Sequence, residues 1–248
     1  MQREGFHVTA AHEAEHWWFR SRRDLFLRQV AHAARALGFP ERRLRLLDFG
    51  CGTGFNLAFL RPYGEVYGAD RLRAADCTFR RTNGFPLLDV DRDLGQRKGQ
   101  FHVVTALDVL EHLEDDVDGL RLLASLLVTH GQIVLTVPAY EWAWGGEDVI
   151  SEHRRRYTRA TLVRACEAAG LHVSYVSYFN LSILPAMAVV VWARRLLARG
   201  PRSNVWMPPA WLNEALYTVT SREADWVGAE RMALPAGGSL ICRVRGDG

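Results

Sequence analysis

One feature narrows the possible folds more than any other: short apolar runs recur along the chain, separated by helix-length segments. The first run, LRLLDFG (44–50), is continuously apolar and ends at glycine, as expected of a strand buried on both faces. Further strand-like runs follow at EVYGAD (65–70), FPLLDV (85–90), FHVVTALD (101–108), GQIVLTVPA (131–139), LHVSYVSYF (171–179) and GSLICRVR (238–245). Helical patterns are read over 11–37, 114–128 and 158–169, the first stopped by Gly38 and Pro40. Strands alternating with helices require crossover connections. The expectation is an α/β, Rossmann-like sheet of seven strands, mostly parallel, with helices on both faces and the last strand antiparallel.

With 248 residues the chain suits one sizeable core better than two, so 1–248 is read as a single domain. Within it, 1–40 forms an N-terminal helical lid, 41–180 the ligand-binding core, 181–230 a helical insertion after the sixth strand, and 231–248 the last strand. The insertion contains the apolar LSILPAMAVVVWA (181–193), shorter than a membrane span and interrupted by Pro185. Its expected role is core and lid. The alternative is an acceptor channel or a peripheral membrane contact over 181–199, with Arg194, Arg195 and Arg199.

A net charge of +3 without a groove-sized basic stripe argues against nucleic acid as a partner. The four cysteines, Cys51, Cys77, Cys166 and Cys242, lack CxxC or zinc-type spacing and read as reduced thiols of a cytoplasmic protein. The first twenty residues contain no apolar signal-peptide core.

In open α/β sheets ligands bind beyond the carboxyl ends of the strands, which draws attention to Asp48, Asp70, Asp89 and Asp108. LLDFGCGTGFN (46–56) carries a buried strand through Gly50, Gly52 and Gly54 into a helix. Glycines there allow positive φ and close ligand approach, and a helix N-terminus offers free N–H groups. Asp48 before the turn would repel a pyrophosphate but suits a cationic amino-acid tail. Asp70, about 20 residues on, is placed for two ribose hydroxyls. A nucleoside with a cationic tail fits both, and S-adenosylmethionine is such a molecule.

In order, LLDFGCGTG, YGAD, LDVLEHLEDD, GQIVLTVPA, HRRRYT and YFN resemble the blocks of class I S-adenosylmethionine-dependent methyltransferases of the bacterial small-molecule type, and EHWWFRSRR (15–23) is similar to an N-terminal block of those enzymes. The resemblance implies that Asp48, Gly50, Gly52 and Gly54 face the methionine end of the cofactor and Asp70 the ribose. It implies that Asp89 and Val90 reach the adenine, and that Leu107 and Asp108 line the pocket. Arg71 either stacks on adenine or points to solvent. An N-terminal lid would bring Trp18 and Arg23 to the cofactor; otherwise Trp17, Trp18 and Phe19 simply pack on the sheet edge.

Methyl transfer is a displacement at carbon, in which alignment supplies most of the catalysis and a base assists an acidic acceptor. His153 in SEHRRRYT (151–158) is the foremost candidate base, followed by His112, then Tyr157 and His16. Tyr157 could instead pack its loop down. The expected acceptor is a small or medium-sized, rather apolar natural product or lipid-like molecule, methylated on O, N or C. Asp108, Glu111 and His112, at i, i+3 and i+4, would share a helix face. Joined by His153 they form an alternative divalent-metal set, similar to ExxEH blocks of some ubiquinone-pathway and small-RNA methyltransferases. A non-catalytic cofactor-binding protein on the same scaffold is the remaining alternative.

Overall fold

A computed structural model describes residues 9–38, 44–71, 84–197 and 206–246. Its centre is a seven-stranded sheet ordered β3-β2-β1-β4-β5-β7-β6. The strands are β1 (Leu44–Phe49), β2 (Gly64–Asp70), β3 (Leu87–Asp89), β4 (Phe101–Leu107), β5 (Leu127–Pro138), β6 (Leu171–Phe179) and β7 (Ser239–Gly246). The first five pair in parallel, and β7 runs antiparallel to both β5 and β6. All seven expected strands are present, each close to the run that announced it. Leu46, Leu47, Val103, Val104, Ile133, Val134 and Leu135 are almost wholly buried, which explains why β1, β4 and β5 read as continuous apolar runs.

Because β1 pairs with β2 on one side and β4 on the other, the strand order reverses at β1. That reversal is the switch point where a crevice opens beyond the strand carboxyl ends. The chain leaves β4, β5 and β6 through Asp108, Tyr140 and Asn180, all with positive φ near 60° (55°, 60° and 65°). Side chains at three strand exits are thereby turned sharply at one edge of the sheet.

The helices are α1 (Trp17–Ala36), α2 (Leu57–Leu60), α3 (Asp116–Leu126), α4 (Gly146–Ser151), α5 (Arg159–Ala168), α6 (Leu184–Leu196) and α7 (Ala210–Gly228). In α1, Ser21, Leu25, Phe26, Gln29, Val30 and Ala33 are buried at helical spacing, while the His16 ring accepts a hydrogen bond from Trp18 N as N-cap. Helix α7 lies along α1 in the same direction. Arg20 pairs with Glu214, Tyr217 Oη donates to Asp24 at 2.8 Å, Arg28 pairs with Asp225, and the His32 ring meets Gly228 O at 2.9 Å.

One expectation is sharpened and another needs correction. The helix after the glycine turn is a single turn, α2, followed by a tight 3₁₀ turn at Arg61–Tyr63 that Pro62 favours. The apolar stretch of the insertion forms α6, yet none of its residues is buried, so it is not core. It follows β6, and among the described residues too little protein surrounds it to cover its sides. Among the described residues no helix is long and apolar enough to cross a membrane.

Candidate active site

The glycine turn lies where β1 ends. Gly50, Gly52 and Gly54 have φ of 74°, 53° and 80°, the left-handed region that side chains resist. A Cβ on Gly50 would stand 2.5 Å from Val109 Cγ2, whereas one on Gly52 would meet only Gly50 O at 4.0 Å. The turn is therefore tight toward the protein and open at Gly52, a cradle for a ligand backbone or tail. Gly50 N and Cys51 N both donate to Ala69 O, tying the turn to β2. Asp70 closes β2 with its carboxylate accepting from Gly52 N at 2.9 Å and Arg71 N at 2.7 Å.

Asp48 lies behind the turn, 2% exposed, and Thr105 Oγ1 donates to its Oδ1 at 2.6 Å. Burial raises its carboxyl from 3.8 to about 7; the Thr105 hydrogen bond opposes the rise and the nearby Asp70 charge adds to it. A cation placed beside it would favour the ionised form. At the next strand end, Asp89 Oδ1 accepts from Asp91 N and Arg92 N, and Val90 N donates to Asp70 O at 3.2 Å. The Arg71 side chain is 69% exposed with Nε 3.8 Å from Asp91, so here it points to solvent.

The N-terminal segment touches this edge. Thr53 Oγ1, within the glycine turn, donates to buried Glu13 at 2.6 Å. Arg23 donates to Glu13 O at 3.1 Å, and its guanidinium lies 5.1 Å and 4.5 Å from the ring centroids of Phe55 and Phe59. Trp18 is half-buried, with the Arg22 guanidinium 5.4 Å from its ring centroid. Arg22, which the sequence reading passed over, reaches furthest in. It pairs with Asp108, donates to Thr136 Oγ1 at 2.9 Å, and lies 5.8 Å from the Phe179 ring centroid. One side chain of α1 thus spans the ends of β4, β5 and β6. Its four-residue spacing from Trp18 was the available signal.

The turn after β4 is a 3₁₀ helix, Leu110–His112, so Asp108 does not share a regular helix face with Glu111 and His112. Asp108 is taken up by Arg22 and by Thr136 Oγ1, which donates at 3.1 Å. It stands outside the cluster formed by Glu111, His112 and His153, whose ligand-type atoms lie within 4.8 Å of one another. Glu111 is 0% exposed, and among the described residues neither carboxyl oxygen has a hydrogen-bond partner. Burial, reinforced by Asp108, pushes its carboxyl well above the usual range. His112 is driven down to about 4 by burial and by His153, so its ring is neutral at pH 7.

His153 is held by a residue that sequence reasoning missed. Its Nδ1 is 2.8 Å from Asp148 Oδ1, and its backbone N donates to Asp148 O at 2.8 Å. Asp148 is fully buried and also receives Arg156 Nε at 2.8 Å, Arg156 Nη2 at 3.0 Å and Gly145 N at 2.7 Å. Burial works to raise its carboxyl, but the donors His153 and Arg156 outweigh it and hold it below the ordinary value. An ionised Asp148 makes Nδ1 of His153 the protonated nitrogen and leaves Nε2 as acceptor, 4.0 Å from Glu111 Oε1.

Two other candidates have different duties. Tyr157 is 3% exposed and its hydroxyl donates to Asp116 at 2.8 Å, while its backbone bonds Pro138 O and Tyr140 N. Burial and the Asp116 carboxylate raise its pKa further, so it is committed to packing the loop and is a poor base. His16 is buried as the cap of α1, with Nε2 3.2 Å from Trp206 O, and burial lowers its pKa.

Comparison with known proteins fits this geometry. Residues 11–176 match a family described as a methyltransferase domain. The chain belongs to the class I S-adenosylmethionine-dependent methyltransferases. S-adenosylmethionine is its cofactor, and the glycine cradle with the acids at the ends of β1 and β2 suits that molecule's cationic tail and nucleoside. Over 164 residues, 56% of this chain and 68% of the other, the sequence is 28% identical to a ubiquinone biosynthesis O-methyltransferase of Aeromonas salmonicida. An uncharacterized protein of Synechococcus sp. is 34% identical over 108 residues, 39% of this chain but only 26% of that protein's length. The fold is similar to that of the 1,6-didemethyltoxoflavin-N1-methyltransferase of Burkholderia thailandensis, solved with S-adenosylhomocysteine. That match has a TM-score of 0.51 and 15% identity, covering 97% of this chain and 85% of the other.

Proposed function

We propose that this methyltransferase acts on a small or medium-sized, rather apolar natural-product or lipid-like acceptor, and that His153 is its general base. The observation carrying the reading is the buried Asp148, which orients His153 and leaves Nε2 on the side of Glu111, in the turn that follows β4. The cofactor supplies an electrophilic methyl group. Asp48 and the glycine turn hold its cationic tail, Asp70 the ribose, Asp89 and Val90 the adenine, and Leu107 the pocket wall. Trp18 and Arg23 belong to an N-terminal lid over it, of which residues 9–38 are described and 1–8, 39 and 40 lie outside the described residues. His153 Nε2 takes the proton from an acceptor hydroxyl or amine as the bond to carbon forms. The three described cysteines are free and buried, which suits work in the reducing cytoplasm.

A test uses purified protein with labelled cofactor and a panel of phenolic, terpenoid and polyketide acceptors. Substituting His153→Ala should lower kcat by about 10²–10⁴-fold while the cofactor Kd stays within a few-fold. Unchanged turnover would remove His153 from the mechanism.

A second reading is favoured by the partnerless, fully buried Glu111 carboxyl beside two imidazoles. Glu111, His112 and His153 would hold a divalent ion that polarises the acceptor oxygen, with Asp148 orienting His153 from behind. Equilibrium dialysis against Mg²⁺, Mn²⁺ or Zn²⁺, with activity in chelator, separates the two. Stoichiometric binding abolished by Glu111→Gln supports the metal; full activity in EDTA ends it.

A further inference from the structure

Helix α6 is built in an unusual way for a surface helix. Its half-buried residues, Leu184, Met187, Ala188, Val191 and Arg194, recur at helical spacing and form the stripe facing the protein. Met187 Sδ stands 2.8 Å from where a Gly238 side chain would begin. The opposite stripe ought to be polar. Instead it presents Val189 (68% exposed), Trp192 (55%), Leu196 (84%) and, at the cap that follows, Leu197 (60%). A contiguous apolar stripe of this kind marks a surface that docks against something.

Charge identifies the partner. The sequence stretch 181–209 contains four arginines, Arg194, Arg195, Arg199 and Arg202, and no Asp, Glu or Lys. The whole chain carries only +3, so the remainder is slightly acidic and the net positive charge is concentrated on this stretch of the insertion. Two of these arginines close α6, and the Arg195 guanidinium lies 5.4 Å from the Trp192 ring centroid. Apolar side chains with Trp at the boundary and Arg beside it match the layering of a lipid headgroup region. A protein partner would need acids of its own placed against the arginines; an anionic bilayer supplies them everywhere. At about 1.5 Å per residue, thirteen residues extend about 20 Å, enough to lie in the interface plane and too short to span it.

We infer that α6 docks this protein on an anionic membrane surface, with Val189, Trp192 and Leu196 entering the headgroup layer and the basic end of the helix, where the exposed Arg195 also donates to Trp144 O at 3.1 Å, lying toward the lipid phosphates. The helix starts four residues past Asn180, at the sheet edge that carries the cofactor turn. Docking therefore brings the acceptor side of the site to the lipid. That bearing on the acceptor rests on the reading above; the docking itself does not.

The test is co-sedimentation of the full chain with phosphatidylcholine vesicles, with and without about one third phosphatidylglycerol. Wild type should pellet with the anionic vesicles, less with phosphatidylcholine alone, and less as salt rises. The double variant Val189→Asp/Leu196→Asp changes two exposed side chains. It should lower the partition coefficient at least about tenfold and leave S-adenosylhomocysteine affinity unchanged. Retained cofactor affinity shows that the fold and the methyltransferase site survive, so loss of docking is read separately. Wild type remaining in the supernatant with anionic vesicles would overturn the inference, as would equal pelleting of the variant. So would light scattering that finds a wild-type dimer and a variant monomer with neither bound to lipid, since a second copy would then cover the stripe.

Discussion

The buried carboxyl of Asp48 makes a strong prediction because its effects on stability and on ligand binding oppose each other. Burial lifts its pKa from 3.8 to about 7, so between those values the folded chain keeps a proton that the unfolded chain has released. Stability from this group is fully present below pH 3.8 and is lost as pH rises through about 7. At about 1.4 kcal/mol per pH unit, the interval amounts to roughly 4 kcal/mol, a ceiling that relaxation and water entry reduce. Asp48→Asn cannot ionise, and its Oδ1 still accepts from Thr105. The substitution should therefore stabilise the cofactor-free protein at alkaline pH. In urea melts, the advantage of the variant should grow by about 2 kcal/mol between about pH 5.5 and pH 8.5. For a chain of this size that is about 4–8 °C in Tm. Calorimetry with S-adenosylmethionine should show the reverse, about tenfold weaker binding, because Asn offers no charge to the ammonium and sulfonium. Parallel pH–stability curves for the two proteins would refute the account of Asp48 as a carboxyl held against its own burial.

Two further substitutions test neighbouring assignments. Asp70→Ala removes the acceptor of Gly52 N and Arg71 N together with the group assigned to the ribose, and cofactor Kd should rise about 10–100-fold in a fluorescence titration. Tyr157→Phe loses the hydrogen bond to Asp116, so chemical melts should show about 1 kcal/mol less stability, while kcat stays within a few-fold of wild type. A large drop in kcat without loss of stability would return Tyr157 to the chemistry.

Much of the scaffold was legible in the sequence because burial on both faces leaves a local signature. The strands β1, β4 and β5 read as apolar runs since each is covered on both sides, and the run 171–179 coincides with β6, Leu171–Phe179. The glycine turn and Asp70 were legible because positive φ and strand-end acids are properties of single residues. The helix boundaries were less so. The helix read over 114–128 ends at Leu126, and β5 begins at once with Leu127, because tertiary pairing with β4 takes over the backbone there. For α6 the apolar composition was plain, but composition alone suggested core, and the structure leaves none of its residues buried.

What the sequence determined by itself was the alternation that forces a parallel sheet, and the cradle at the switch point. Both follow from backbone stereochemistry and the period of apolar residues, which neighbours along the chain encode. Only the tertiary structure decided which charges meet. Arg22 on α1 reaches Asp108, 86 positions away in the numbering, and so withdraws it from the Glu111, His112 and His153 cluster. His153 and Arg156 converge on the Asp148 carboxylate, which orients the His153 ring. The outward face of α6 is left uncovered by the other described elements. Such pairings depend on where distant elements come to rest, and on which side chains burial deprives of water, so no local pattern could have specified them.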